Sequence, residues 1–323
     1  MTLLKLSPTA VVRSRFALSP LAETVSSLIA LQRPGPDPWL ASWHARHQAG
    51  YRQWRDRDEV AAGLLPLMAA TKWLPDFVAL PPGDGVHTRL TDELAAVAEH
   101  SDTQIRAMTG DAIAAGWGPR PTRWLSGDRL GPRVAAMLGE GWERFVAPDW
   151  PRRRAVLERD IAYRAGLLAA YGWPRAVADI TRKSAWVSHD TIRFSDQGHP
   201  DRFIGDHGLI FVPHTPGGGF WLCERPPQFA FVYSARGPAA PPDPADPDPL
   251  AGLLGAGRAR IARELTRPAT SSQLAHSLGV SLGTVSAHLA VLRDTGVVAG
   301  ARTGRSVIYR LTERGERLLS VLD

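Results

Sequence analysis

Residues 270–312 read TSSQLAHSLGVSLGTVSAHLAVLRDTGVVAGARTGRSVIYRLT, and the first half of this stretch decides the fold of the C-terminal part of the chain. Thr270 opens a capping-box pattern, which starts a short helix that Gly279 ends with a turn. Ser281 is a fresh N-cap, and the helix after it repeats apolar residues at spacings of four and three. Two short helices joined by a glycine-led turn predict a helix-turn-helix.

The second half of the stretch predicts a hairpin with a basic tip. Residues 297–302 and 306–311 are strand-like, and Thr303, Gly304 and Arg305 form a tight turn between them. One helix is predicted before the helix-turn-helix and another after the hairpin. This is the element order of a winged helix.

A proline-rich segment separates this part from the rest of the chain. Residues 237–249 read GPAAPPDPADPDP, with six prolines, and proline interrupts helices and inner strands. We predict an N-terminal domain at 1–236, an extended linker at 237–249 and a winged-helix domain at 250–323, whose first helix spans 253–266. All eleven tryptophans precede residue 237, so tryptophan emission is expected to report the N-terminal domain alone.

The N-terminal domain is predicted to start with helices and to end with a small antiparallel sheet. Ser19 is a helix cap followed by proline, and residues 151–171 have the apolar spacing of a long helix with Ala165 on its inward face. After about residue 184 strand-like runs follow, and the run Gly217–Gly219 between two of them predicts a hairpin loop. The expected fold class is therefore mainly α with some β, an α+β domain linked to a winged helix.

The composition excludes several classes of protein. The chain has 323 residues, of which 44% are hydrophobic and 22% charged, as in ordinary globular proteins. No apolar run reaches the ~18 residues that span a bilayer, and no signal peptide is evident, so we expect a cytoplasmic protein without a membrane partner. We find no nucleophile elbow, zinc-protease pattern or dinucleotide fingerprint, and we therefore predict no enzyme activity, no catalytic residues and no cofactor.

Positive charge is concentrated at the C-terminal end. The net charge of the chain is +6, and residues 251–323 carry 10 basic against 5 acidic side chains. A polyanionic partner requires such a surface. Free use of arginine by a high-GC genome is the alternative explanation.

About the last 70 residues resemble the ArsR-type regulators. The residues that carry the resemblance are Leu274-Ala275, Leu278-Gly279-Val280-Ser281, Val285-Ser286-Ala287-His288-Leu289, Leu292-Arg293, Gly296-Val297-Val298, Arg302, Gly304-Arg305, Tyr309 and Leu311-Thr312. The resemblance implies a bacterial homodimer that binds double-stranded operator DNA and regulates transcription in response to an effector. The start of the chain, residues 13–24, resembles a longer subgroup in which a helical domain precedes the winged helix.

Metal-sensing members of that family carry Cys-x-Cys on the helix before the recognition helix. Thr270 and Ser272 stand at the corresponding positions, and Cys223 is the only cysteine, so we predict no metal site and expect a small organic effector instead. His44 and His47 share a helix face and are either a metal pair or ordinary polar positions. The same alternatives apply to an irregular cluster made of His189, His199, His207, His214, Asp190 and Asp206.

The resemblance and the helix geometry together name the candidate DNA-binding residues. They are Ser281, Thr284, Ser286, His288, Arg293, Arg302 and Arg305. Thr284 and His288 are expected to flank the buried stripe of the recognition helix, whereas Ser281 is also the cap and Ser286 is expected nearer the protein side. The hairpin arginines are expected at phosphates or in the minor groove.

Other residues of the recognition helix offer few side chains for hydrogen bonds to DNA bases. Leu282, Gly283 and Ala287 stand where similar proteins often carry polar side chains, which favours methyl contacts and DNA shape. A second basic set is either another DNA-contacting face or a solvated helix face. Its members are Arg152, Arg153, Arg154, Arg159 and Arg164.

The sequence thus predicts a dimeric transcription factor that binds an inverted repeat. Its N-terminal domain is expected to serve dimerisation, effector sensing or both. The alternative is an enzymatic or ligand-binding N-terminal domain whose winged helix docks onto protein or DNA.

Overall fold

The contacts of the chain divide it into two units. The structure, a computed structural model, describes residues 2–33, 40–71, 73–83, 85–116, 121–178, 180–181, 185–195, 199–217, 219–236, 249–303 and 306–322. The first unit comprises residues 1–148 and 164–235, and the second comprises residues 149–163 and 236–323. The sequence-based division did not anticipate that residues 149–163 group with the C-terminal part. Trp150 lies in that segment, so the expectation that tryptophan emission reports the N-terminal part alone is wrong.

The described part of the first unit contains eight helices and two sheets, and the residues of a further helix belong partly to each unit. The helices are α1 (Pro8–Arg13), α2 (Pro20–Gln32), α3 (Ala41–Arg57), α4 (Glu59–Ala70), α5 (Leu90–Ala98), α6 (Asp102–Ala114), α7 (Leu130–Phe145), the shared α8 (Trp150–Tyr171) and α9 (Trp173–Ala176). The strands are β1 (Thr2–Leu6), β2 (Arg15–Phe16), β3 (Ala185–Ser188), β4 (Thr191–Ser195), β5 (Arg202–Ile204), β6 (Leu209–His214), β7 (Phe220–Arg225) and β8 (Gln228–Ser234).

The two sheets have the orders β3-β4-β1-β5 and β2-β6-β8-β7. The predicted fold class, mainly α with some β, is confirmed. The sheets are mixed rather than antiparallel, however, because β1 runs parallel to β5 and β6 runs parallel to both β2 and β8. The predicted hairpin at Gly217–Gly219 is also wrong, because the strands on either side of it, β6 and β7, do not pair with each other. β6 and β7 both pair with β8, whose apolar residues Phe229–Tyr233 are buried as in an inner strand.

Helix α2 is anchored at its start and again one turn later. Ser19 caps it, as predicted, by accepting a hydrogen bond from the backbone of Ala22 at 2.9 Å. Glu23 is fully buried and accepts hydrogen bonds from the backbone N–H of Thr215, at 2.8 Å, and from the Thr215 hydroxyl. These bonds fix α2 against the segment that follows β6.

The second unit has the element order of a winged helix. After the first part of α8 it contains α10 (Pro249–Leu254), α11 (Ala256–Glu264), β9 (Ala269–Thr270), α12 (Ser271–Leu278), α13 (Leu282–Asp294), β10 (Val298–Thr303), β11 (Ser306–Leu311) and α14 (Glu313–Leu322). The predicted single helix over 253–266 is wrong, because Gly255, with a φ of 83°, separates α10 from α11.

Two arginines of α8 hold the helices of the winged helix in place. Arg159 forms a buried ion pair with Glu264, whose carboxylate also accepts a hydrogen bond from Ser277 at 3.2 Å. Arg152 donates to the backbone carbonyl of Ser277 at 3.0 Å, at the C-terminal end of α12, where helix carbonyls lack helical partners. Residues of α8 therefore stabilise α11 and α12 directly.

The arginines of α8 therefore do not share one face that is open to solvent or to DNA. Arg153, Arg159 and Arg164 are buried, while Arg154 is exposed and pairs with Glu158 one turn away. Ala165, predicted inward, is exposed. The hydrophobic pattern did not predict the buried arginines, because along the inner face of α8 charged side chains stand where apolar ones are expected.

No single helix among the described residues is long and apolar enough to cross a bilayer. α12 and α13 together reach the required length and hydropathy, but as a pair bent by 117°.

We predict that Glu264→Ala lowers the free energy of unfolding of the second unit by about 3–5 kcal/mol, because it leaves the charge of Arg159 buried without its partner. Arg154→Ala is the matched control on the same helix and should cost less than about 1 kcal/mol, since its pair is exposed. Denaturant unfolding of the whole chain followed by circular dichroism measures both. Equal losses for the two variants would contradict the assignment.

Candidate nucleic-acid interface

Helix α13 is positioned by its cap and by one buried stripe. The hydroxyl of Ser281 accepts a hydrogen bond from the backbone of Thr284 at 3.1 Å and lies 2.8 Å from the Thr284 hydroxyl. Val285, Leu289 and Leu292 are buried in the core of the winged helix. The opposite face of α13 is left exposed.

The structure reverses one expectation about the recognition helix. Ser286, expected nearer the protein side, is exposed together with Ser281 and Thr284. His288 is half-buried, and a Cβ atom built on Gly257 of α11 would lie 2.7 Å from its Nε2. At about 100° per residue, position 288 lies nearer than position 286 to the buried stripe, so the imidazole packs on α11.

The exposed face of α13 carries few hydrogen-bond donors. Gly283 and Ala287 are exposed, as is Val291, with 42% of its surface accessible. Val291 is not among the residues named from the sequence, although its helical spacing from Ala287 places it on the same face. This surface permits close approach of a ligand and offers apolar contacts more than hydrogen bonds.

The hairpin formed by β10 and β11 is the wing. Arg302 is exposed near its tip, opposite Val307 in the antiparallel register. Lower in the wing, a Cβ at Gly300 would lie 3.1 Å from side-chain atoms of both Tyr309 and Val307, so a larger residue there would require these side chains to shift. Arg293, near the C-terminal end of α13, is exposed with its guanidinium 3.9 Å from Asp294. The candidate Arg305 and its neighbour Gly304 lie outside the described residues.

The residues considered as metal ligands have other surroundings. Thr270 is the N-cap of α12 in a capping box with Gln273, and Ser272 is exposed. Cys223 is buried in β7, and burial raises the pKa of its thiol. His47 packs against Trp43 and Phe145, each with ring centroids 5.7 Å away. Within the described part of the chain, no three His, Cys, Asp or Glu side chains are grouped to hold a metal ion.

Comparison with known proteins adds one finding. Residues 262–299 match the family described as bacterial regulatory protein, arsR family. The C-terminal unit contains an ArsR-type helix-turn-helix. The match begins in α11, includes α12 and α13 and ends at the start of β10, and it supports a DNA-binding transcription regulator. No curated protein and no solved structure matches the chain.

Proposed function

We propose that this protein is a homodimeric transcription regulator that binds an inverted-repeat operator and responds to a small organic effector held by the first unit. The ArsR-type match over 262–299, together with the exposed face of α13 and the wing, carries the proposal. In such folds the second helix of the motif lies in the major groove.

The exposed residues of α13 suggest how it would meet DNA. Ser281, Thr284 and Ser286 are the candidates for polar contacts near the start of the helix. Ala287 and Val291 would contact thymine methyl groups, which distinguish base pairs in the major groove. His288 is expected to orient α13 against α11, and its contact with DNA would be limited to its exposed edge.

We predict that Arg302→Ala weakens binding to operator and to random duplex alike, because a wing arginine contacts phosphates. The dependence of log affinity on log salt should become shallower by about one unit. Arg317→Ala is the control, since that exposed arginine already pairs with Glu313 at 3.4 Å. We expect the same effect as Arg302→Ala from Arg305→Ala.

Fluorescence anisotropy over a salt series measures these slopes. A change in sequence preference with unchanged affinity for random duplex would contradict the phosphate assignment. A complex whose affinity does not depend on salt would favour docking of the wing onto protein.

A dimer is proposed because one winged helix reads too few base pairs to select a site in a genome. The centres of the two half-sites should lie about 10 bp apart, or a multiple of that. Helix α14 is short, so we expect the first unit to supply much of the dimer contact.

A fragment of residues 250–323 should therefore be monomeric, because it lacks the first unit. Its apolar core is formed within residues 250–322, but Arg159 is missing from it, so the fragment should carry Glu264→Gln to remove the unpaired buried charge. Sedimentation of a fragment that circular dichroism shows to be folded measures this. A tight dimer would show that the winged helix dimerises by itself.

A further inference from the structure

The first unit contains a cavity of about 160 Å³. Its lining comes from helices α2, α3 and α4 and from β6, β7 and the segment between these two strands. An apolar protein cavity of about 150 Å³ accommodates benzene. This cavity therefore has room for one aromatic ring with a small substituent.

Flat aromatic side chains form much of the wall. The indole N–H of Trp43 donates to the backbone carbonyl of Phe145 at 2.7 Å, which fixes the orientation of that ring. Trp221 stacks on His214 with the ring centroids 5.1 Å apart and the planes 27° from parallel. Together with Phe220, these rings present faces and edges that suit a planar aromatic ligand better than a branched aliphatic one.

Two buried histidines of the lining have hydrogen-bonding capacity that the fold does not use. His214 is 1% exposed, and because burial lowers its pKa it is neutral and donates from Nε2 to the carbonyl of Gly219 at 3.0 Å. Its Nδ1 is then an acceptor, and no described residue bonds to it. Nε2 of His44 likewise has no hydrogen-bond partner among the described residues. The hydroxyl of Ser26, in contrast, donates to the carbonyl of Glu23.

The charge of the lining favours an anion. Arg33, just after α2, lines the cavity with its side chain exposed, and its one described hydrogen bond is to the carbonyl of Ala69 at 3.4 Å. The described lining residues include no aspartate or glutamate. A guanidinium matches a carboxylate in geometry and charge, whereas the described lining residues offer no carboxylate to pair with an ammonium group.

We propose that this cavity binds a single-ring aromatic carboxylate. The ring lies among Trp43, Phe220 and Trp221, and the carboxylate pairs with Arg33. A hydroxyl group on the ring would donate to Nδ1 of His214. The binding of this ligand is independent of the function proposed above. Its role as the effector rests on that function.

Calorimetric titration of the whole protein with benzoate tests the site. Benzoate should bind, and benzylamine, of the same size and opposite charge, should not. Arg33→Gln should weaken benzoate binding about tenfold or more, because a hydrogen bond to a charged group is lost. Arg46→Gln, exposed on α3 and outside the lining, should change it less than about twofold.

Absence of benzoate binding, or equal affinity of the two variants, would overturn the proposed site. Binding of duplex DNA selected from genomic fragments, measured in the same samples, separates this result from the proposed function. If the protein selects no DNA, the proposed regulator is wrong whatever benzoate does. If it selects DNA, benzoate should shift that affinity about 5- to 150-fold, and an unchanged affinity would overturn the effector role.

Discussion

The buried ion pair between Arg159 and Glu264 is the constraint on which the second unit depends. It joins residues 105 positions apart. The Glu264 carboxylate also accepts a hydrogen bond from the hydroxyl of Ser277, which connects α12 to the same ion pair. A buried charge is tolerated only with its partner, so α8 and the end of α11 are bound to one arrangement. The segment that matches the arsR family thus depends on residues far outside the match.

The position of the exposed face of α13 follows from this constraint. Arg152 and Arg260 each donate to a carbonyl at the end of α12, at 3.0 and 3.1 Å, so the turn at Gly279 starts from a fixed point. The cap at Ser281 fixes the start of α13, and the buried stripe fixes which side of the helix faces the core. The other side of α13 is exposed. Beyond the hydroxyls of Ser281, Thr284 and Ser286, that surface carries small and apolar side chains. Contact with methyl groups and DNA shape, more than a set of hydrogen bonds, is therefore the proposed basis of recognition.

Local features could be predicted from the sequence, and long-range ones could not. The caps at Ser19, Thr270 and Ser281 each involve a hydrogen bond spanning three residues, so the pattern itself encodes them. The buried arginines of α8 could not be found, because only the fold brings a carboxylate to Arg159. Parallel pairing of β6 with β8 was missed because an apolar run does not reveal its neighbours.

In the candidate nucleic-acid interface, the helices and strands were predicted correctly, but the face of α13 on which Ser286 lies was not. The sequence correctly located the helix-turn-helix and the wing strands, whose packing is local. Ser286 was wrongly expected nearer the protein side, although the spacing of about 100° per residue in α13 already puts position 288 nearer the buried stripe. Only the close approach of Gly257 to the imidazole could not be predicted, because it depends on the packing of α11. The cavity of the first unit could not be predicted from the sequence, because its lining comes from five separate elements.

The central claim is that the exposed face of α13 selects DNA. Genome-wide occupancy of the intact protein tests it most directly. The comparison is with Ala287→Glu, which places a negative charge on that face, and with Ser320→Glu, at an exposed position of α14, as control. We expect discrete sites that share a motif for the wild type and for Ser320→Glu, and their loss for Ala287→Glu. The same sites in all three proteins, or no discrete sites for the wild type, would contradict the account.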